Sequence, residues 1–215
     1  FFQRREMRFV IDNEAYDIFK EMVNYATVQV RVPRKGERPF IDEITIDKKY
    51  LETNGQTALL SYARMGDDKQ MYDYAVQWSL RGGYLYPKEP NWKTGELMAV
   101  TLSAPVRPVT LEAEADLDEL SEMDVARVSV ELQYKRFGKL FVDKKGLSIS
   151  PAAGEAVVNK VIYQDVTADK LQYRLIYHHK KLGKIESQEW KLVEGDYIYC
   201  APTEMLIEKI KGLLQ

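Results

Sequence analysis

The chain has 215 residues, enough for one large domain or two small ones, and its 31 basic and 33 acidic side chains leave no basic excess for a phosphate backbone, so no nucleic-acid partner is expected. One cysteine, Cys200, excludes an internal disulfide frame and a thiolate zinc site. No apolar run approaches the roughly 18–20 residues that span a bilayer. Phe1-Phe2-Gln3-Arg4-Arg5 has neither the apolar stretch of a signal peptide nor an initiator Met, and reads as the start of a mature or excised chain.

In chain order, residues 14–22 predict a helix of one or two turns joining a first strand to the next. Residues 27–32 alternate as a strand, and Lys35-Gly36 and Asn54-Gly55 read as turns. Tyr72–Leu80 places every large apolar side chain on an even number, the pattern of a strand with one buried face. Gly82-Gly83 then turns the chain. Pro105, Pro108 and the acidic stretch 112–122 mark a junction, with 109–115 opening a second set of strands and 117–123 a second short helix. Strands follow at 127–134 and 171–177, with turns at Gly138, Gly146, Gly183 and Glu194-Gly195. Residues 205–214 fit either a closing strand or an amphipathic helix.

The second half repeats the first. Glu21-Met22 answers Glu122-Met123, and the alternating Ala26, Val28, Val30, Val32 answer Ala126, Val128, Val130, Leu132. Ile44-x-Ile46-Asp47-Lys48-Lys49 answers Leu140-x-Val142-Asp143-Lys144-Lys145, and Ala58-Leu59-Leu60 answers Ala156-Val157-Val158. Tyr74, Val76, Trp78 answer Tyr173, Leu175, Tyr177. Trp92-Lys93 answers Trp190-Lys191, and Ala104-Pro105 answers Ala201-Pro202. The order never breaks, so the expected architecture is all-β: two tandem antiparallel β-sandwich modules, residues 1–106 and 107–215, related by internal duplication and each with a short helical crossover. Tyr74-Ala75-Val76-Gln77-Trp78 and Tyr173-Arg174-Leu175-Ile176-Tyr177 resemble the central aromatic strand of immunoglobulin and fibronectin-III-type sandwiches. The chain departs from true immunoglobulin domains in lacking their cysteine pair and tyrosine corner. The resemblance implies an architecture and carries no catalytic residues with it.

Candidate chemistry is sparse. His178 and His179 are adjacent on a strand, so their side chains leave opposite faces and do not share a metal; His179, matching Leu80, is expected at an inward or boundary position. No G-x-S-x-G nucleophile elbow or phosphate loop occurs. The carboxylates Glu112, Glu114 and Glu122 could in principle supply a general acid and base, and Asp67-Asp68 beside Gly66 could help hold calcium, although without the spacing of an EF-hand. Neither a metal nor a cofactor is expected.

The aromatic segment Gly82 to Asn91 carries the most functional promise. Tyr84 and Tyr86 share a face and are expected on a loop, where exposed tyrosines make good binding anchors, with Trp92 as a third candidate. The counter-reading places Trp92 and Trp190 in the core, because the same indole recurs at the same place in two diverged copies; each would then cost about 3–5 kcal/mol on replacement by Ala. The function expected is that of non-catalytic scaffold or interaction modules with protein partners, part of a larger cell-envelope or extracellular assembly. A carbohydrate-binding accessory module using Tyr84, Tyr86 and Trp92 is the alternative, and a hydrolase with a site between the modules is a third reading.

Overall fold

The computed structural model describes residues 2–34, 36–65 and 71–213, so Lys35, Asp67-Asp68 and Leu214 lie outside it. The chain divides into two compact units, Phe1–Val106 and Arg107–Gln215. Each unit holds two sheets, and the strands follow one plan in both.

In the first unit, β1 (Phe2–Ile11), β4 (Thr57–Met65) and β8 (Ala99–Leu102) form one sheet in the order β4-β1-β8. The other runs β3 (Phe40–Asp47), β2 (Val23–Val32), β5 (Tyr72–Leu80), β6 (Tyr84–Tyr86), with β7 (Lys93–Gly95) also on β5. The second unit repeats this with β12 (Val157–Asp165), β9 (Val106–Glu114) and β16 (Tyr197–Tyr199). Its second sheet is β11 (Lys139–Ile149), β10 (Val125–Arg136), β13 (Gln172–His179) and β14 (Gly183–Glu186), with β15 (Lys191–Leu192) on β13. Trp78 on β5 and Tyr177 on β13 therefore occupy the same strand of the plan.

The core follows from the alternation. Val28 and Val30 of β2 and Val130 and Leu132 of β10 are fully buried. They face Met7 and Phe9 of β1, or Leu111 and Ala113 of β9, from the opposite sheet, and the Phe9 and Tyr74 rings meet at 6.0 Å. The helices α1 (Ala15–Glu21) and α3 (Leu117–Glu122) bridge the two sheets where the sequence predicted them. Ala15, Ile18 and Phe19 give α1 one buried face, while Asp116 caps α3 by accepting from the backbone N–H groups of Asp118 and Glu119 at 3.0 Å each.

Four features differ from the sequence expectation or decide what it left open. First, each unit is not purely antiparallel: β8 runs parallel to β1, and β16 parallel to β9. The chain leaves the second sheet after β7 or β15 and crosses to the first, and such a crossover permits parallel pairing where a hairpin would not. Second, Asn54-Gly55 does not turn a hairpin. It ends a helix, α2 (Lys48–Asn54), whose N-cap Asp47 accepts from the Tyr50 N–H at 2.6 Å and whose Gly55 sits at φ +73°. Third, the C-terminal segment, left open by the sequence between a closing strand and an amphipathic helix, is a helix, α4 (Glu204–Leu213). Fourth, some sequence matches are shifted along the ladder. Ala26 opposes Trp78 as Val128, not Ala126, opposes Tyr177. The shift is two residues, which preserves the buried face.

A larger offset separates β3 from β11, where β11 loses register with β10 between Val130 and Leu132. Gly146 sits at this bulge, and a Cβ there would lie 2.1 Å from the Val130 carbonyl oxygen. Gly146→Ala is therefore expected to destabilise the second unit by about 1–3 kcal/mol, measured by urea unfolding; an unchanged midpoint would mean that the bulge relaxes freely.

Candidate functional site

Tyr74, Val76 and Trp78 project from the inward face of β5. Cross-strand partners share a face, so Tyr86, opposite Trp78, and Lys93, opposite Tyr74, extend the same surface from β6 and β7. The opposing wall comes from the end of β8 and the residues after it, Thr101 to Pro105. Because β8 has only four residues and pairs with Arg8–Ile11 alone, it covers only the end of β1. A pocket of about 260 Å³ remains at this side of the first unit, with Pro87 and Asn91 completing its wall. Trp78, 4% exposed, forms the floor, and Tyr86, 39% exposed, stands at the mouth. The Gln77 amide donates to the carbonyls of Pro87 and Lys88 at 3.2 and 3.3 Å, holding the loop beside the mouth.

The candidate residues separate. Tyr84 and Tyr86 lie on a short paired strand, not on a loop, and only Tyr86 reaches the pocket. Trp92 lies away from it. Its ring covers the Arg31 guanidinium at 4.7 Å, and Arg31 is itself paired with Asp73 at 2.9 Å across β2 and β5. The expectation that both repeated tryptophans are core residues is overturned: Trp92 is 38% exposed and Trp190 is half-buried. Trp190 covers Arg174 at 4.8 Å, and Arg174 pairs with Glu131 and Glu186. The shared demand is a lid over a cross-strand ion pair, met with opposite polarity in the two copies. The cation comes from β2 in the first unit and from β13 in the second.

The histidines occupy opposite faces, as the alternation requires. His179 is buried, and its Nδ1 accepts from the N–H groups of Lys181 and Leu182 at 3.1 Å each, closing the turn. His178 Nε2 lies 3.3 Å from both Arg127 and Ser129, and desolvation together with Arg127 and Lys184 lowers its pKa. Among the described residues, no group of three His, Cys, Asp or Glu side chains could hold a metal. Glu114 accepts from the Tyr197 hydroxyl at 2.6 Å, a bond that pushes the phenol up to about 12. Glu114, Asp116 and Asp118 line a shallow depression of about 430 Å³ in the second unit, where Asp116 is already committed to capping α3.

Cys200 is buried, and desolvation pushes its thiol from 9.0 up to about 12. Burial likewise raises the Tyr177 phenol well above its usual 10.0. The folded state keeps both protonated where the unfolded chain would release the protons. Their stabilisation is therefore complete below about pH 9 and is lost as pH climbs toward the raised values. The denaturation midpoint is expected to fall steeply between about pH 9 and 12, and Cys200→Ala is expected to flatten that fall; an unaltered slope in the variant would remove the thiol from the account.

Among the described residues, no helix is long and apolar enough to cross a membrane. No protein-family model matches the chain, and no curated protein matches it. Among solved structures, the crystal structure of a "putative adhesin" from Bacteroides ovatus aligns over 94% of this chain and 94% of that one, at 9% identity and a TM-score of 0.31. A likeness at that score carries no argument about fold or function.

Proposed function

We propose that the chain is a non-catalytic interaction protein and that the first unit binds through the pocket beside β5 and β8. The observation that carries this reading is the chemistry of the lining. Tyr74, Trp78 and Tyr86 supply an aromatic surface; Asn91, Thr101 and Ser103 supply neutral hydrogen-bonding groups; among the described residues Lys93 supplies the one formal charge. Among the described residues no carboxylate, histidine or cysteine lines it, so Lys93, Thr101 and Ser103 have no carboxylate or imidazole in its wall to activate them. Partly exposed aromatics around a concave surface, with a few convergent polar groups, suit recognition. Protein partners in a larger cell-envelope or extracellular assembly are the first reading. The exposed Tyr86 ring beside Asn91 supports carbohydrate as the second.

The test is a ligand screen of peptides and monosaccharides, read by NMR on the indole N–H signals. A ligand of this site moves the Trp78 signal saturably and loses affinity in Tyr86→Ala. Binding that leaves Trp78 unmoved and survives Tyr86→Ala would place the site elsewhere.

A further inference from the structure

A strand at the margin of a sheet leaves backbone N–H and C=O groups without a partner, and proteins guard such margins by brevity, bulges or charge. Among the described residues, β6, β7, β8, β14, β15 and β16 are guarded by brevity, at two to four residues each. The long marginal strands β3 and β11 carry charge: Asp42, Glu43 and Asp47 on β3, and Lys139, Asp143, Lys144 and Lys145 on β11. β12 exposes Val157 and Val161, but its Lys160 shares a face with the buried Ile162. From there the Lys160 ammonium reaches Asp143 of β11 at 2.7 Å and the Lys145 carbonyl at 2.8 Å. An inward lysine of this kind opposes the addition of a further strand.

β4 is the exception. From Thr57 to Ala63 it carries no charge. The Ile11 N–H donates to the Gln56 carbonyl at 2.9 Å, as the Ala115 N–H donates to the Ala156 carbonyl at 3.0 Å. These matching bonds set Leu60 where the second unit has Lys160. Leu60 is buried, and Leu59 on the outer face is 49% exposed. The same bond fixes which backbone groups are free. Gln56 and its even-numbered successors bond to β1, so Thr57, Leu59, Ser61 and Ala63 turn their N–H and C=O groups to the open side. The Arg34 guanidinium donates to the Ala63 carbonyl at 3.4 Å, which leaves Thr57 to Ser61 open.

We propose that β4 pairs with β4 of a second copy of this chain, antiparallel about a two-fold axis at Leu59. In that register Leu59 faces the partner's Leu59 and Thr57 faces the partner's Ser61, with about six backbone hydrogen bonds exchanged. The strand is complementary to itself in this arrangement: leucine meets leucine, hydroxyl meets hydroxyl, and no charge is repeated across the axis. β3 paired with itself would instead bring only acidic charges together. The pocket beside β5 takes no part, so the pairing stands independently of the ligand proposed there. A contact this small belongs to the transient class below about 1,200 Å², and dissociation constants on the order of 0.1–1 mM are expected.

The experiment is sedimentation velocity on the full chain from about 10 μM to about 1 mM. The sedimentation coefficient is expected to rise with concentration. Leu59→Lys, which sets two ammonium groups at the axis, and Leu59→Pro, which removes an outward N–H and no bond to β1, are expected to stay monomeric while melting with the parent. The lysine variant leaves the backbone unchanged, so the result does not depend on the proline variant folding. Leu59→Cys places two thiols across the axis at a Cα separation of about 5.5 Å, within disulfide reach, and Cys200 is buried. Mild oxidation is expected to give a covalent dimer of Leu59→Cys and none of Ser61→Cys, which lies off the axis. A parent that is monomeric throughout leaves the edge to some other strand and overturns the proposal. A dimer that survives Leu59→Lys uses another surface and overturns it as well, as does a Ser61→Cys variant that cross-links as readily as Leu59→Cys.

Discussion

Trp78→Ala and Tyr177→Ala are each expected to lower the stability of their own unit by about 3–5 kcal/mol, whereas Trp92→Ala costs less than about 1 kcal/mol. Trp78 is 4% exposed and meets the Phe19 ring of α1 edge-on at 6.2 Å, so its loss opens a cavity between the crossover helix and the sheet. Tyr177 is 0% exposed, and its removal both empties that volume and strands the Ala201 carbonyl. Tyr177→Phe isolates the second effect, at about 1 kcal/mol. Trp92, by contrast, covers Arg31 from the solvent side, and water can replace much of what it provides. Denaturant melts of the four variants distinguish these roles. A Trp92→Ala loss as large as that of Trp78→Ala would show that the outer lid, and not the inner face, dominates the first unit.

Arg174→Leu is expected to be nearly as damaging, at about 3 kcal/mol. Glu131 is 4% exposed in a strand interior, and Arg174, which bonds both Glu131 and Glu186, is the cation paired with it. Removing the guanidinium leaves a buried carboxylate without its counter-charge and takes away the surface on which Trp190 rests. The double variant Glu131→Leu with Arg174→Leu is expected to recover most of the loss, because the penalty lies in the unpaired charge and not in the absence of the pair. For comparison, Lys180→Ala breaks an exposed contact of 3.8 Å to Asp124 and should shift stability by no more than about 0.5 kcal/mol. Thermal melts of the single and double variants test this. A double variant as unstable as Arg174→Leu would mean that packing of the side-chain stems, and not charge, holds the site.

The all-β class, the duplication and most of the buried faces are legible in the residue pattern. These rest on local alternation, which depends on the period of the strand and on little else. Tyr72, Trp78 and Leu80 are buried in the fold as the pattern places them, while Tyr74 and Val76 are half-buried beside the pocket and Ala75 is buried on the other parity; a two-residue slip in matching Ala26 leaves the strand's parity intact. The crossover helices were legible for the same reason, through Ala15, Ile18 and Phe19 on one face. The parallel pairings become visible only in three dimensions, because β8 and β1 are distant in sequence and no local signal encodes their direction. The same holds for the placement of Trp92 and Trp190 over arginines. Recurrence of an indole signals a shared demand, but burial and cation stacking both produce recurrence. Finally, the pocket depends on how far a four-residue strand reaches along a ten-residue neighbour. That is a property of two segments brought together in space, and the aromatic segment from Gly82 to Asn91 contained only one of its walls.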